Sequence, residues 1–146
     1  MSTTDHQAIC ETVYRYAYGI DTKDWDLYRS IFTDEVFIDF TSYRPGQAGP
    51  MPADTWVAAV RAQMIKLAAT QHAMSNPIVT VDGDRATCLM YIRADHALEA
   101  GNDDAWFSLG GHYRDTLVRT ADGWRIDGVT LHVGWRRGDE SIMRRG

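Results

Sequence analysis

Cysteine, proline and charge of one sign are all scarce in this chain, and each scarcity excludes a class of protein. Only two cysteines occur among 146 residues, Cys10 and Cys88. They have neither CxxC spacing nor metal-type neighbours, which argues against a disulfide scaffold, a zinc ribbon or a thioredoxin-like redox centre. Two thiols of this kind suit a reducing compartment, so the expected location is cytoplasmic. Of the four prolines, Pro45, Pro50 and Pro52 fall in one stretch, which leaves most of the chain free to form regular structure. No apolar run approaches the ~18 residues of a membrane span. Residues 1–5 lack the basic-then-apolar pattern of a signal peptide. Fifteen basic residues stand against twenty acidic ones, for a net charge of −5. The basic residues are scattered apart from Arg136-Arg137 and Arg144-Arg145, so neither nucleic acid nor a membrane is an expected partner. His6, His72, His96, His112 and His132 show no short paired spacing, and no metal or other cofactor is expected. No serine-centred nucleophile elbow or phosphate-binding glycine loop occurs either.

What is present is an ordinary globular composition, with 45% hydrophobic and 24% charged residues. One domain of this length can bury roughly 70% of the surface its unfolded chain exposes. Thr4-Asp5-His6-Gln7 has a capping-box pattern, and Ile9, Val13, Tyr16 and Ile20 follow at helical spacing. An amphipathic helix is therefore expected over residues ~5–21. Asp24 is placed to cap a second, short helix through Trp25 and Ile31. Val36–Phe40 has strand composition, the proline- and glycine-rich stretch 45–52 reads as a loop, and a third helix fits near residues ~53–68. Strands follow at Pro77–Val81, Ala86–Ile92, Trp106–Val118 and Trp124–Trp135, with Asp82-Gly83 and Asp122-Gly123 as turns. Residues 138–146 form a polar tail, expected to be an arm or frayed end. Helices segregated from antiparallel strands imply an α+β domain.

The chemically informative residues lie far apart in the chain. Asp21 ends the first helix at the margin of its apolar arc, while His72 and His96 sit on strand-like segments. A carboxylate and a histidine sharing one cavity make a base of tunable strength. Each also has a structural reading: a helix-end carboxylate, a strand-start histidine, a core tyrosine at Tyr16. Asp95 and His96 are adjacent, so only one of them can face a pocket. His112 and Arg114 share a strand face opposite Tyr113, which suits solvent or an interface. Trp25, Phe40, Trp56, Met64, Met90 and Phe107 suit a core, and some of them the wall of a ligand cavity.

The helix ending in Asp21 with Lys23-Asp24-Trp25-Asp26 after it, Phe32–Val36, Thr70-Gln71-His72, Val81–Asp84, Gly110–Tyr113 and Asp122–Ile126 resemble the SnoaL-like branch of the nuclear-transport-factor-2-like superfamily. The motifs are most similar to scytalone dehydratase-like proteins. The resemblance covers nearly the whole chain and implies a cone: a curved antiparallel sheet wrapped around three helices, with one deep pocket. It also implies a cofactor-independent lyase of the dehydratase type, with Asp21, His72, His96 and Tyr16 as catalytic residues. The substrate implied is a small hydrophobic molecule such as a cyclic hydroxy-ketone or polyketide. Isomerase, cyclase and plain ligand-binding members share the same fold. Ile20 and Phe40 stand where the scytalone dehydratase motif carries tyrosines. Arg119 falls near a pocket arginine of the dehydrochlorinase in the same group, so it joins Trp25, Phe40, Trp56, Met90 and Phe107 as expected substrate contacts. A homodimer or homotrimer is the expected assembly.

Overall fold

A computed structural model describes residues 3–144. Its first helix, α1 (Thr3–Asp21), begins one residue ahead of the capping-box pattern, and the residue before it lies outside the described range. Ile9, Val13, Tyr16 and Ile20 are buried along one stripe, as their spacing requires. Burial of such side chains contributes about 1.5–3 kcal/mol each. α1 ends in a Schellman turn: Asp24 N–H donates to Gly19 O at 2.9 Å and Lys23 N–H to Ile20 O at 3.0 Å. Lys23 takes the left-handed conformation this turn needs (φ 56°). Its ammonium donates to Leu67 O at 2.9 Å, tying the turn to the segment after the third helix. Asp24 then caps α2 (Trp25–Ser30) by accepting from Leu27 N–H.

Glycine is needed where α1 turns into α2. A Cβ on Gly19 would lie 2.8 Å from Tyr28 Cβ and 2.9 Å from Tyr28 Cα and N. Backbone cannot yield as a side-chain tip can. Gly19→Ala should therefore lower the melting temperature, although alanine gains up to about 1 kcal/mol in helix propensity and overpacking costs about 1–3 kcal/mol. A thermal melt showing the alanine variant to be the more stable would refute this close-packing account.

After α2 come β1 (Phe32–Asp39), β2 (Ala48–Pro52) and α3 (Ala53–Met64). The long strands β3 (Ala69–Asp82), β4 (Arg85–Ala97), β5 (Trp106–Thr120) and β6 (Gly123–Gly138) complete one sheet. Its order is β2-β1-β6-β5-β4-β3, curved and unclosed. The domain is α+β, and three helices fill the hollow of the sheet. One pairing departs from the antiparallel expectation: β1 runs parallel to β6. Long connections permit this, because β2, α3 and three strands intervene. β2 forms inside the stretch read as a loop. It is an edge strand, where Pro50 and Pro52 cost no ladder bond on the open side.

β3 starts eight residues earlier than its apolar pattern begins. A bulge between Ser75 and Ile78, with Asn76 at φ 58°, lets the strand continue through the break in alternation. Gly83 (φ 62°) and Gly123 (φ 102°) turn the two hairpins where Asp-Gly signals stood. Among the described residues, the tail as far as Arg144 packs back and does not project as an arm. Asp139 caps a 3-10 turn, Glu140–Met143, whose Ile142 and Met143 are buried, and Arg136 pairs with Glu140 beside it.

Candidate active site

Asp21 is the last helical residue of α1, and the Schellman turn carries the chain away beyond it. α1 lies on β3, where Thr70 and His72 point to the same face because they are two residues apart. Three donors from that strand converge on the one carboxylate. The His72 backbone N–H donates to Oδ2 at 2.7 Å, the Thr70 hydroxyl to Oδ1 at 2.9 Å, and the His72 ring Nδ1 lies 2.7 Å from Oδ1. Burial pushes the Asp21 pKa up, but the hydrogen bonds and charge of His72 and the Thr70 hydroxyl outweigh it and hold the carboxyl below its usual range. The carboxylate is therefore ionised at neutral pH and fixes the hydrogen of His72 on Nδ1. Nε2 keeps its lone pair, and the ring lines a cavity of about 480 Å³.

His96 stands across from His72 with ring centroids 5.8 Å apart and planes nearly perpendicular. Its Nδ1 donates to Phe107 O at 2.9 Å, which leaves Nε2 as an acceptor. Burial, and then the neighbouring His72, lower its pKa to about 4. His96 is thus a neutral acceptor at neutral pH. Asp95, adjacent in sequence, points the other way and accepts from the Ser108 hydroxyl at 2.5 Å.

Tyr16 lines the inner end of the cavity, where its hydroxyl meets those of Tyr28 and Tyr113. Its ring centroid is 5.0 Å from that of Tyr28 and 5.4 Å from that of Tyr113. Trp56 Nε1 donates to the Tyr28 hydroxyl at 3.1 Å. Burial raises all three phenols well above their ordinary pKa, so they are neutral hydroxyls. Next to them lies Asp115, 1% exposed, with Oδ1 unpartnered and its pKa raised by burial to about 8.

Phe40 and Trp56 form part of the cavity wall, packed edge to face at 5.0 Å. Four other residues expected at the ligand lie elsewhere. Arg119 is on the outer surface, paired with Asp5 and Asp84 and stacked over Trp124. It shares the Leu117 face of β5 but lies at the hairpin end of the strand, six residues beyond Tyr113 on the cavity wall. Trp25 packs against Tyr28 on the far side of α2. Met90 is buried beneath the sheet's inner face without reaching the cavity. Phe107 stacks behind His96 at 5.7 Å and braces that ring. His112 faces outward, stacked on His132 at 4.6 Å. Tyr43, Arg44, Gln63, Leu131 and Met143 also line the cavity and went unread in the sequence. Alternation along β5 and β6 could have found Leu131, but no local pattern marks the others. Among the described residues no group of three or more metal-ligating side chains occurs, and no helix is long and apolar enough to cross a membrane.

The SnoaL-like domain model matches residues 1–130. An uncharacterised protein of Mycobacterium tuberculosis is 31% identical over 124 residues, covering 84% of this chain and 81% of that protein. Scytalone dehydratase of Pyricularia oryzae is 23% identical over 140 residues, covering 90% and 81% respectively. The crystal structure of a Kribbella flavida protein superposes with a TM-score of 0.90 at 36% identity, over 97% of each chain. With its helices held in a curved mixed sheet, and with scytalone dehydratase among its relatives, this chain belongs to the SnoaL-like domain family.

Proposed function

We propose that the protein is a cofactor-independent dehydratase-type lyase acting on a small hydrophobic hydroxy-ketone. One observation carries this reading: the 2.7 Å bond between Asp21 and His72 Nδ1 at the wall of an open, largely apolar cavity. His72 Nε2 takes the proton α to the substrate carbonyl, and Asp21 stabilises the imidazolium that forms. The Tyr16 hydroxyl donates to the carbonyl oxygen as negative charge develops there. His96, neutral and with Nε2 bare, accepts from the substrate's β-hydroxyl and orients it. The imidazolium of His72 then returns its proton to that hydroxyl, the C–O bond breaks, and water and the conjugated enone leave. His72 ends neutral, so the cycle balances without a redox partner.

The dehydratase-named relatives support this over the other chemistries of the fold. An isomerase or cyclase would use the same base but keep the oxygen. A panel of cyclic β-hydroxy-ketones assayed by mass spectrometry separates these outcomes. Loss of 18 mass units, about one water per turnover, is the expected result. Consumption of substrate at constant mass would replace the lyase reading with an isomerase.

A further inference from the structure

The charged side chains at the cavity wall are of one sign. Arg44, Lys66 and Arg144 all border it, and no aspartate or glutamate does so among the described residues. None of the three has a carboxylate partner within ion-pair distance among those residues. This is unexpected in a chain of net charge −5. The cations come from three separate elements: the loop between β1 and β2, the segment after α3, and the C-terminal turn. Arg44 and Arg144 are exposed as well as cavity-lining, so they mark where the cavity opens. The Tyr43 hydroxyl beside them is buried without a hydrogen-bond partner. The Arg44 guanidinium sits 5.2 Å from the centroid of the Tyr43 ring. Apart from the cations, the wall is apolar and aromatic but for the two histidines, the phenols and the amides of Gln47 and Gln63. The cavity is therefore polarised, with cations at the mouth and neutral groups within.

We propose that the ligand of this cavity carries an anionic group, a carboxylate or a phosphate, which Arg44, Lys66 and Arg144 hold at the mouth while its ring system lies inward against Phe40 and Trp56. This rests on the reading of the cavity as the substrate site and narrows the substrate to an amphipathic anion. The three cations also offset the repulsion that the protein's net charge exerts on such a molecule as it approaches. The neutral acceptor Nε2 atoms of His72 and His96 then meet a part of the ligand that carries no charge.

The test is binding to the intact protein at pH 7.5, followed by tryptophan fluorescence or calorimetry. The probes are 1-naphthylacetate, its methyl ester and 1-naphthyl phosphate. Each exposed charge contact is worth a factor of about 1.5–5, so three together should make the anions bind about 3–100-fold more tightly than the ester. The advantage should shrink in 500 mM salt, an ionic strength of about 0.5 M. A stronger gain for the acetate assigns a carboxylate, and one for the phosphate assigns a phosphate. In the triple variant Arg44→Gln/Lys66→Gln/Arg144→Gln the anion preference should fall to within about twofold, with ester affinity kept. Should that variant lose its fold, Arg44→Glu alone must weaken the anions and spare the ester. Equal binding of ester and anions, an unchanged preference in the charge variants, or no saturable binding of any probe overturns the proposal. His72→Ala separates this from the lyase reading, because it should leave the anion preference intact. Anion preference without any dehydration removes the lyase and keeps the anion site. Dehydration of neutral hydroxy-ketones without anion preference does the reverse.

Discussion

His72→Ala should lower kcat on a verified substrate by about 10²–10⁴-fold, the usual worth of a positioned general base. The melting temperature should change far less than the rate, because Asp21 keeps the Thr70 hydroxyl and the residue-72 backbone N–H as donors when the ring is removed. Asp21→Asn should also cost rate. The amide cannot stabilise an imidazolium, and it can present its NH₂ to His72 Nδ1, which would move the ring's hydrogen to Nε2 and remove the base. With the NH₂ there, the amide oxygen takes the Oδ2 place and still accepts from the His72 backbone N–H, while the Thr70 hydroxyl can turn to accept from the NH₂, so the local fold should persist. Tyr16→Phe should lose less if the phenol only polarises the carbonyl. His96→Ala distinguishes two arrangements. A loss as large as that of His72→Ala means that both histidines act on the reacting atoms, and a small loss means that the Asp21–His72 pair suffices. A His72→Ala enzyme with the wild-type rate would place the base elsewhere and end the mechanism proposed above.

Asp115→Asn should make the protein more stable at pH 8, by a margin that shrinks steadily as the pH falls toward 4. The sign follows from the raised pKa. Folded Asp115 holds its proton up to about pH 8, whereas the unfolded chain releases it near its ordinary value. Between those limits the folded state binds more protons than the unfolded one, so stability is full at acid pH and declines as pH rises. The neighbouring phenols stay neutral across this window, and burial pushes the Cys88 thiol up to about 12. His96 works in the opposite direction and lower down. Its lowered pKa means that stability is lost as pH falls from its ordinary value toward about 4. The difference between variant and wild type cancels that contribution, because both proteins contain His96. A shift of this size corresponds to a few kcal/mol, and roughly 2–4 °C in Tm follows from each in a chain of this length. Melts across pH 5–8.5 read the difference directly. A variant whose Tm tracks that of the wild type at every pH would show that Asp115 does not hold a proton in the fold.

Local signals in the sequence determined the elements. The Ile9–Val13–Tyr16–Ile20 stripe, the Asp24 cap and the two Asp-Gly turns each depend on neighbours within a few residues, and such signals survive in any tertiary context that buries the same face. Asp21, His72, His96 and Tyr16 stand out as candidates through local motifs together with a family resemblance, and α1 and the sheet bring all four to one cavity or its edge. What local pattern could not carry is which faces meet. The parallel β1–β6 pair, the continuation of β3 through its bulge and the docking of Ile142 and Met143 were all settled by burial between segments distant in sequence. Arg119 shows the difference plainly: its motif position suggested the pocket, but its place at the hairpin end of β5 and the carboxylates of Asp5 and Asp84 hold it outside. The cationic mouth is likewise a tertiary property. Arg44, Lys66 and Arg144 have nothing in common along the chain, and only the closing of three elements over one cavity makes them a single field. The same holds for the proposed base, because the Asp21–His72 bond joins residues 51 positions apart and exists only where α1 ends against β3.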